Sequence, residues 1–170
     1  MGASKYKLIT TLMIILLSFG IVGCGQDEKV KDTSNKEGVN IVKLLEYKDS
    51  NIGDNTAITN IISNLPANTY NDGVELQTAS KPYEVTINYK GLEDVDLELS
   101  DTMKKNAMII FSLVKNVDIV NFSIVENGTT ITYEKDKLVN PYKAEYGENL
   151  ENITKDKLSL EKFIKNDIKE

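Results

Sequence analysis

The chain has no histidine, no arginine and no tryptophan, and only one cysteine and three prolines among its 170 residues. Each absence narrows the chemistry. Without histidine there is no imidazole to serve as a general base near neutral pH, and the commonest metal ligand is missing. Without arginine there is no rigid fork for bidentate capture of phosphate or carboxylate. Every cation is a lysine, 20 in all against 26 acids, for a formal net charge of −6. Such a surface disfavours nucleic acid, whose binding is dominated by cation–phosphate neutralisation. With a single cysteine no intramolecular disulfide can form, so the core alone must hold the fold.

What is present starts at the N-terminus. Lys5 and Lys7 precede an almost purely apolar stretch from Leu8 to Val22, which closes on Ile21-Val22-Gly23-Cys24. Charge, then apolar run, then small residue is the layout of a secretory signal. The 15 positions from Leu8 to Val22 fall short of the ~20 needed for a permanent membrane-spanning helix. The aliphatic-aliphatic-Gly-Cys ending resembles the lipobox of bacterial lipoproteins. That resemblance implies cleavage between Gly23 and Cys24 and a diacylglyceryl group on the Cys24 thiol. Acylation also accounts for a solitary cysteine, which would otherwise be a reactive liability in an exported chain. One acyl chain anchors only marginally, whereas two or more hold. Residues 1–23 are therefore expected to be a signal peptide. The expected location is the extracytoplasmic face of the cell membrane, held by lipid. The mature chain carries 18 lysines against 26 acids, a net charge of −8.

Residues 24–40 are polar and mixed in charge with one isolated valine before Val39. They cannot bury enough apolar surface to offset ordering, which predicts a lipidated flexible tether. A single domain is expected over 41–170, long enough for one core and too short for two comfortable ones. Val42, Leu44 and Leu45 seed a short strand or helical turn. Ile52-Gly53-Asp54-Asn55 reads as a helix start, with the Asp54 carboxylate as N-cap. Ile58, Ile61, Ile62 and Leu65 then fall at i, i+3, i+4 and i+7, one helical stripe, and Pro66 stops it.

Two hairpins are predicted. Val74, Leu76 and Thr78 alternate, as do Tyr83, Val85, Ile87 and Tyr89; facing Thr78 with Tyr83 sets Leu76 opposite Val85 and Val74 opposite Ile87. In the second, Asn127-Gly128 is a strong two-residue turn signal. Pairing Glu126 with Thr129 there sets Ile124 opposite Ile131 and Phe122 opposite Tyr133. Between the hairpins, Ala107 to Val114 is apolar nearly all round, which predicts a buried helix, with Asp101 as its cap. Asp136 to Val139 reads as one turn ending before Pro141. A last helix is expected near Ser159, with Leu160, Phe163, Ile164 and Ile168 inward. The order α-ββ-α-ββ-α predicts an α+β two-layer sandwich: an antiparallel four-stranded sheet from two hairpins, with helices on one face.

Catalytic motifs are sparse. Ser112-Leu113-Val114-Lys115 and Ser159-Leu160-Glu161-Lys162 match the Ser-x-x-Lys of penicillin-interacting enzymes. The companion elements that complete such a site are missing. The acids of Glu93-Asp94-Val95-Asp96-Leu97-Glu98 alternate as in a calcium loop, but the glycine and glutamate such a loop needs at positions six and twelve are Leu99 and Lys105. A solvated connection is the expected reading. Paired carboxylates could support general acid–base work, yet no spacing singles out a pair. Tyr70, Tyr83, Tyr89, Tyr133, Tyr142 and Tyr146 could line a sugar- or peptide-binding face. Core rims with hydroxyls at water are the expected role. No catalytic residue, cofactor or metal is expected.

The run Tyr47-Lys48-Asp49-Ser50-Asn51-Ile52-Gly53-Asp54-Asn55, continuing through Ile58, Ile61, Ile62 and Leu65-Pro66, resembles the bacterial domain of unknown function 4825. Weaker matches are Ile87-Asn88-Tyr89, the helix from Lys105-Asn106-Ala107 to Leu113, and Tyr146-Gly147 with Leu150. The resemblance spans Val42 to Ile164. Members look like envelope lipoproteins, and similar domains are attached to membrane sensor-peptidases. The resemblance implies a displayed domain with a part in envelope sensing and supplies no catalytic residues. Gly53, Asp54 and Asn55 form the candidate recognition loop. The expected function is a non-enzymatic, lipid-anchored module binding an envelope protein or peptide. The alternatives are a small envelope hydrolase using carboxylates and a small-ligand-binding lipoprotein.

Overall fold

The computed structural model describes residues 39–146 and 149–166. The signal peptide, the Gly23–Cys24 junction, most of the tether, and Gly147 and Ile168 lie outside the described residues. Among those described, no helix is long and apolar enough to cross a membrane.

The fold begins two residues before the expected boundary, because Val39 is buried and Asn40 accepts from Lys43 N at 3.0 Å. That cap starts α1, Ile41–Glu46, which buries Ile41 and Leu44 one helical turn apart. Of the two forms open to this segment, helix is the one adopted. The next helix, α2, spans Asn55–Ser63, and Asp54 Oδ1 accepts from Ala57 N at 3.0 Å, as its sequence predicts. Ile58, Ile61, Ile62 and Leu65 are all buried.

Strands β1 (Asn71–Gln77) and β2 (Glu84–Tyr89) pair antiparallel, with Val74 opposite Ile87 and Leu76 opposite Val85, the expected register. Helix α3, Leu97–Leu113, starts a turn earlier than expected: Asp96 is the cap, its Oδ1 accepting from Leu99 N at 2.8 Å. Asp101 sits inside the helix instead. The apolar stretch is buried as predicted, from Met103 through Leu113 except for Lys104, Lys105 and Ser112.

Strands β3 (Ile119–Ile124) and β4 (Thr130–Glu134) complete a sheet of order β1-β2-β3-β4. The sheet is mixed rather than antiparallel, because β2 and β3 run parallel. A 17-residue helix is long enough to carry the chain back to the end of the sheet where β2 began, the crossover a parallel pair requires. The second hairpin is also shifted by two residues from expectation, with Phe122 opposite Ile131 and Val120 opposite Tyr133. Neighbouring chain takes the turn residues: Val125 N donates to Tyr89 O, and Glu126 Oε1 accepts from Gly91 N at 2.6 Å. Only Gly128 then needs positive φ, at 71°. An even shift leaves the inward face unchanged.

One face of the sheet is apolar, with Val85, Ile87, Tyr89, Val120, Phe122 and Ile124 buried. On the other face a polar ladder crosses the strands: Asn88 donates to Glu75, Asn121 to Glu84 and Thr86, and Thr132 to Asn121. After β4 comes α4, Lys135–Tyr146, with Pro141 inside it rather than ending it. Tyr142, the next residue, is buried against Phe163 (ring centroids 6.3 Å apart), a tertiary contact that carries the helix past its weak point. A 3-10 turn, Leu150–Thr154, packs on α3. Last is α5, Lys157–Lys165, capped by Asp156 and packed on that turn and on α1.

Candidate functional site

A hollow lies where the segment after α2, the loop after β2 and the start of α3 converge. It is a cleft of about 620 Å³ lined by Pro66, Ala67, Thr69, Tyr70, Leu92, Asp94, Asp96, Glu98, Leu99 and Thr102. That is within the ~300–1,000 Å³ usual for ligand sites. Each wall has a local cause. Helix α2 has ended by Asn64, and Ala67 turns the chain in the left-handed region at φ 59°. Gly91, at φ 85°, bends the chain out of β2 and hands its N–H to Glu126. Asp96 then caps α3, and acids suit that position because the first turn of a helix presents unpaired N–H groups and positive potential.

Electrostatically the cleft is negative. Asp94, Asp96 and Glu98 are all exposed, and the segment from Gly91 to Asp101 carries five acids and no lysine. Pro66, Leu92 and Leu99 give it apolar surface, and Tyr70 gives it an exposed ring. Behind that surface aromatic rings pack in series. Tyr70 contacts Tyr89 (centroids 6.2 Å), Tyr89 contacts Phe122 (5.5 Å), and Phe122 meets Tyr133 edge-on (6.0 Å). Asn106, fully buried on α3, donates to Pro66 O at 2.9 Å and to the Tyr89 hydroxyl at 3.4 Å. Burial pushes the Tyr89 phenol up to about 12, with the Asn106 bond opposing. Tyr133, also pushed up by burial, donates to Ser100 O. The Tyr89 hydroxyl therefore does not sit at water as expected, while half-buried Tyr133 stands at the rim and bonds to α3.

A second hollow, about 500 Å³, lies among Lys81, Pro82, Asp118, Ile119, Glu134, Lys135 and Asp136. Its groups are committed to the fold. Asp118 accepts from Tyr83 N at 2.8 Å, and Lys135 Nζ donates to Lys115 O. Burial lowers the Lys135 ammonium, while Glu151, Asp118 and Asp136 pull it back.

Neither hollow is lined by Gly53, Asp54 or Asn55, which are exposed beside a short bridge joining Ser50 to Val114. Asp54 is engaged as the cap of α2. Of the Ser-x-x-Lys pairs, the first has both members engaged elsewhere: Ser112 Oγ donates to Ile109 O, and Lys115 pairs with Asp49 at 3.7 Å. Among the described residues no group of three or more Asp, Glu or Cys side chains is placed to hold a metal ion. The alternating acids at 94, 96 and 98 were visible in sequence as a solvated connection. That they face Pro66 and Tyr70 follows only from the tertiary fold.

A small mixed-sheet α+β domain with an acidic, partly apolar cleft is what fold and site define. The chain belongs to the family described as Domain of unknown function (DUF4825), whose model matches residues 44–136. The Tyr146-Gly147 and Leu150 likeness falls outside that match. No curated protein and no solved structure gives a significant match.

Proposed function

We propose that this protein is a lipid-anchored binding module at the extracytoplasmic face of the membrane, and that its 66–102 cleft takes a cationic partner, a lysine-bearing peptide or protein segment. The observation that carries the cleft's role is the combination in one hollow of three exposed carboxylates with Pro66, Tyr70, Leu92 and Leu99. Apolar surface supplies contact area, while the carboxylates steer and orient a positive ligand. The anchor is supported by the Ile21-Val22-Gly23-Cys24 ending and the polar residues that follow it.

The hydrolase alternative asks for paired carboxylates with at least one desolvated, so that it stays protonated near neutral pH. Asp94, Asp96 and Glu98 are open to water, and Asp96 is spent on a helix cap. Binding fits this geometry better than proton transfer.

The test is capture of partners from membranes by the full lipidated chain, run beside Asp94→Asn/Glu98→Gln and a separate Asn55→Ala variant. Asp54 is left alone because it caps α2. The proposal expects the partner to be lost with the cleft variant and released by salt. Loss with Asn55→Ala alone would move the site to the 53–55 loop; no partner at all would count against a binding role.

A further inference from the structure

Lysines gather on the last described helix. Segment 155–166 carries four lysines against two acids, Asp156 and Glu161, in a chain whose formal net charge is −6. Lys155, Lys157, Lys162 and Lys165 are exposed, and so is Leu158, at 75 % the second most exposed large apolar residue described. Lys157 pairs with Glu161 at 3.8 Å; Lys155, Lys162 and Lys165 form no described ion pair. Asp156 is engaged in capping α5 through Ser159 N. Lys105 adds a further ammonium at the far end of the helix, donating to Ile164 O.

This basic helix packs on α1, where the chain enters the fold. Helix α1 has six residues, about 9 Å of length at 1.5 Å per residue, so α5 lies close to the root of the N-terminal segment. Between Cys24 and Val39 stand 14 residues. Asp94, Asp96 and Glu98 line the cleft.

We infer that the exposed face of α5, formed by Lys155, Leu158, Lys162 and Lys165, rests on the anionic phospholipid surface beside the anchor. The inference rests on the lipid anchor proposed above. Each lysine near an anionic surface favours contact by roughly fivefold, fading within a Debye length of about 8–10 Å. Leu158 fits the apolar–water boundary beside such cations, while the acids of 91–101 are repelled from the same surface.

The experiment uses the full lipidated chain, extracted from membranes and reconstituted in vesicles containing a lipid-borne quencher. A fluorophore is placed at Leu158→Cys or, as the control at an equally exposed leucine beside the cleft, at Leu97→Cys. The expected result is several-fold stronger quenching at 158 than at 97 in phosphatidylglycerol-rich vesicles, and near equality in phosphatidylcholine or at high salt. Lys155→Gln/Lys162→Gln/Lys165→Gln, which leaves the Lys157–Glu161 pair intact, should weaken the lipid contact by about a hundredfold and abolish the difference. Equal quenching at both sites in anionic vesicles with which the chain floats overturns the α5 contact and leaves the anchor standing. A chain that does not float, with Cys24 unacylated by mass, overturns both.

Discussion

The side-chain amide of Asn106 reaches the carbonyl of Pro66, 40 residues away in sequence, at 2.9 Å in a fully buried setting. The bond joins the core helix to the cleft wall, so core stability and cleft shape are linked at one residue. Asn106→Ala leaves the Pro66 carbonyl without its donor and should cost about 1–3 kcal/mol. Tyr89→Phe removes only the longer 3.4 Å contact and should cost less. Denaturant unfolding of the two variants checks the order; a larger loss for Tyr89→Phe contradicts it.

Asp96→Ala should destabilise the protein by about 0.5–2 kcal/mol, the usual loss for a helix cap. Asp101→Ala, inside the helix, should change stability by less than about 0.5 kcal/mol. Thermal unfolding of both distinguishes the cap observed for α3 from the one expected.

How far the sequence reaches is visible in that pair. Asp96 and Asp101 are equally good caps by composition, and Leu97, which is 80 % exposed, breaks the apolar stripe that would have marked the first turn. The α2 stripe and the β1–β2 register were legible because their determinants are local: a cap, a 3.6-residue period, and alternation across a short connection. The β3–β4 register was not, because Val125 and Glu126 bond to Tyr89 and Gly91, some 35 residues earlier. Pro141 likewise stays helical through a contact to Phe163 that no local pattern announces. The cleft combines both kinds of information. Its acids stand out in the sequence, but their apolar neighbours Pro66 and Tyr70 come from a segment about 30 residues away.

Glu126 should make the fold acid-sensitive. The Gly91 N–H, first among several causes, holds its carboxyl below the ordinary 4.5. A carboxyl lowered in the folded state contributes stability above its unfolded value, and that contribution disappears as pH falls through the folded value. Glu126→Gln should therefore flatten the decline of stability below pH 4.5 and leave its shape near neutrality unchanged. Unfolding midpoints across acid pH measure this; an unchanged acid slope contradicts it.

Tyr89 should contribute to the loss of stability at alkaline pH. Burial raises its phenol from 10.0 to about 12, so the folded state favours the neutral form. Stability from this group is complete below pH 10 and is lost as pH climbs towards 12, where unfolded chains ionise more readily. Phenolate absorbance should show a late step that Tyr89→Phe removes. A single transition near the ordinary value for every tyrosine contradicts the burial.

The placement of the protein turns on Cys24, and intact mass of the native chain purified from membranes tests it most directly. The account predicts a chain starting at Cys24 and carrying a diacylglyceryl group, with Cys24→Ser left uncleaved and unacylated. A native chain with a bare thiol, or a Cys24→Ser variant that keeps the mature mass and still partitions with detergent, contradicts it.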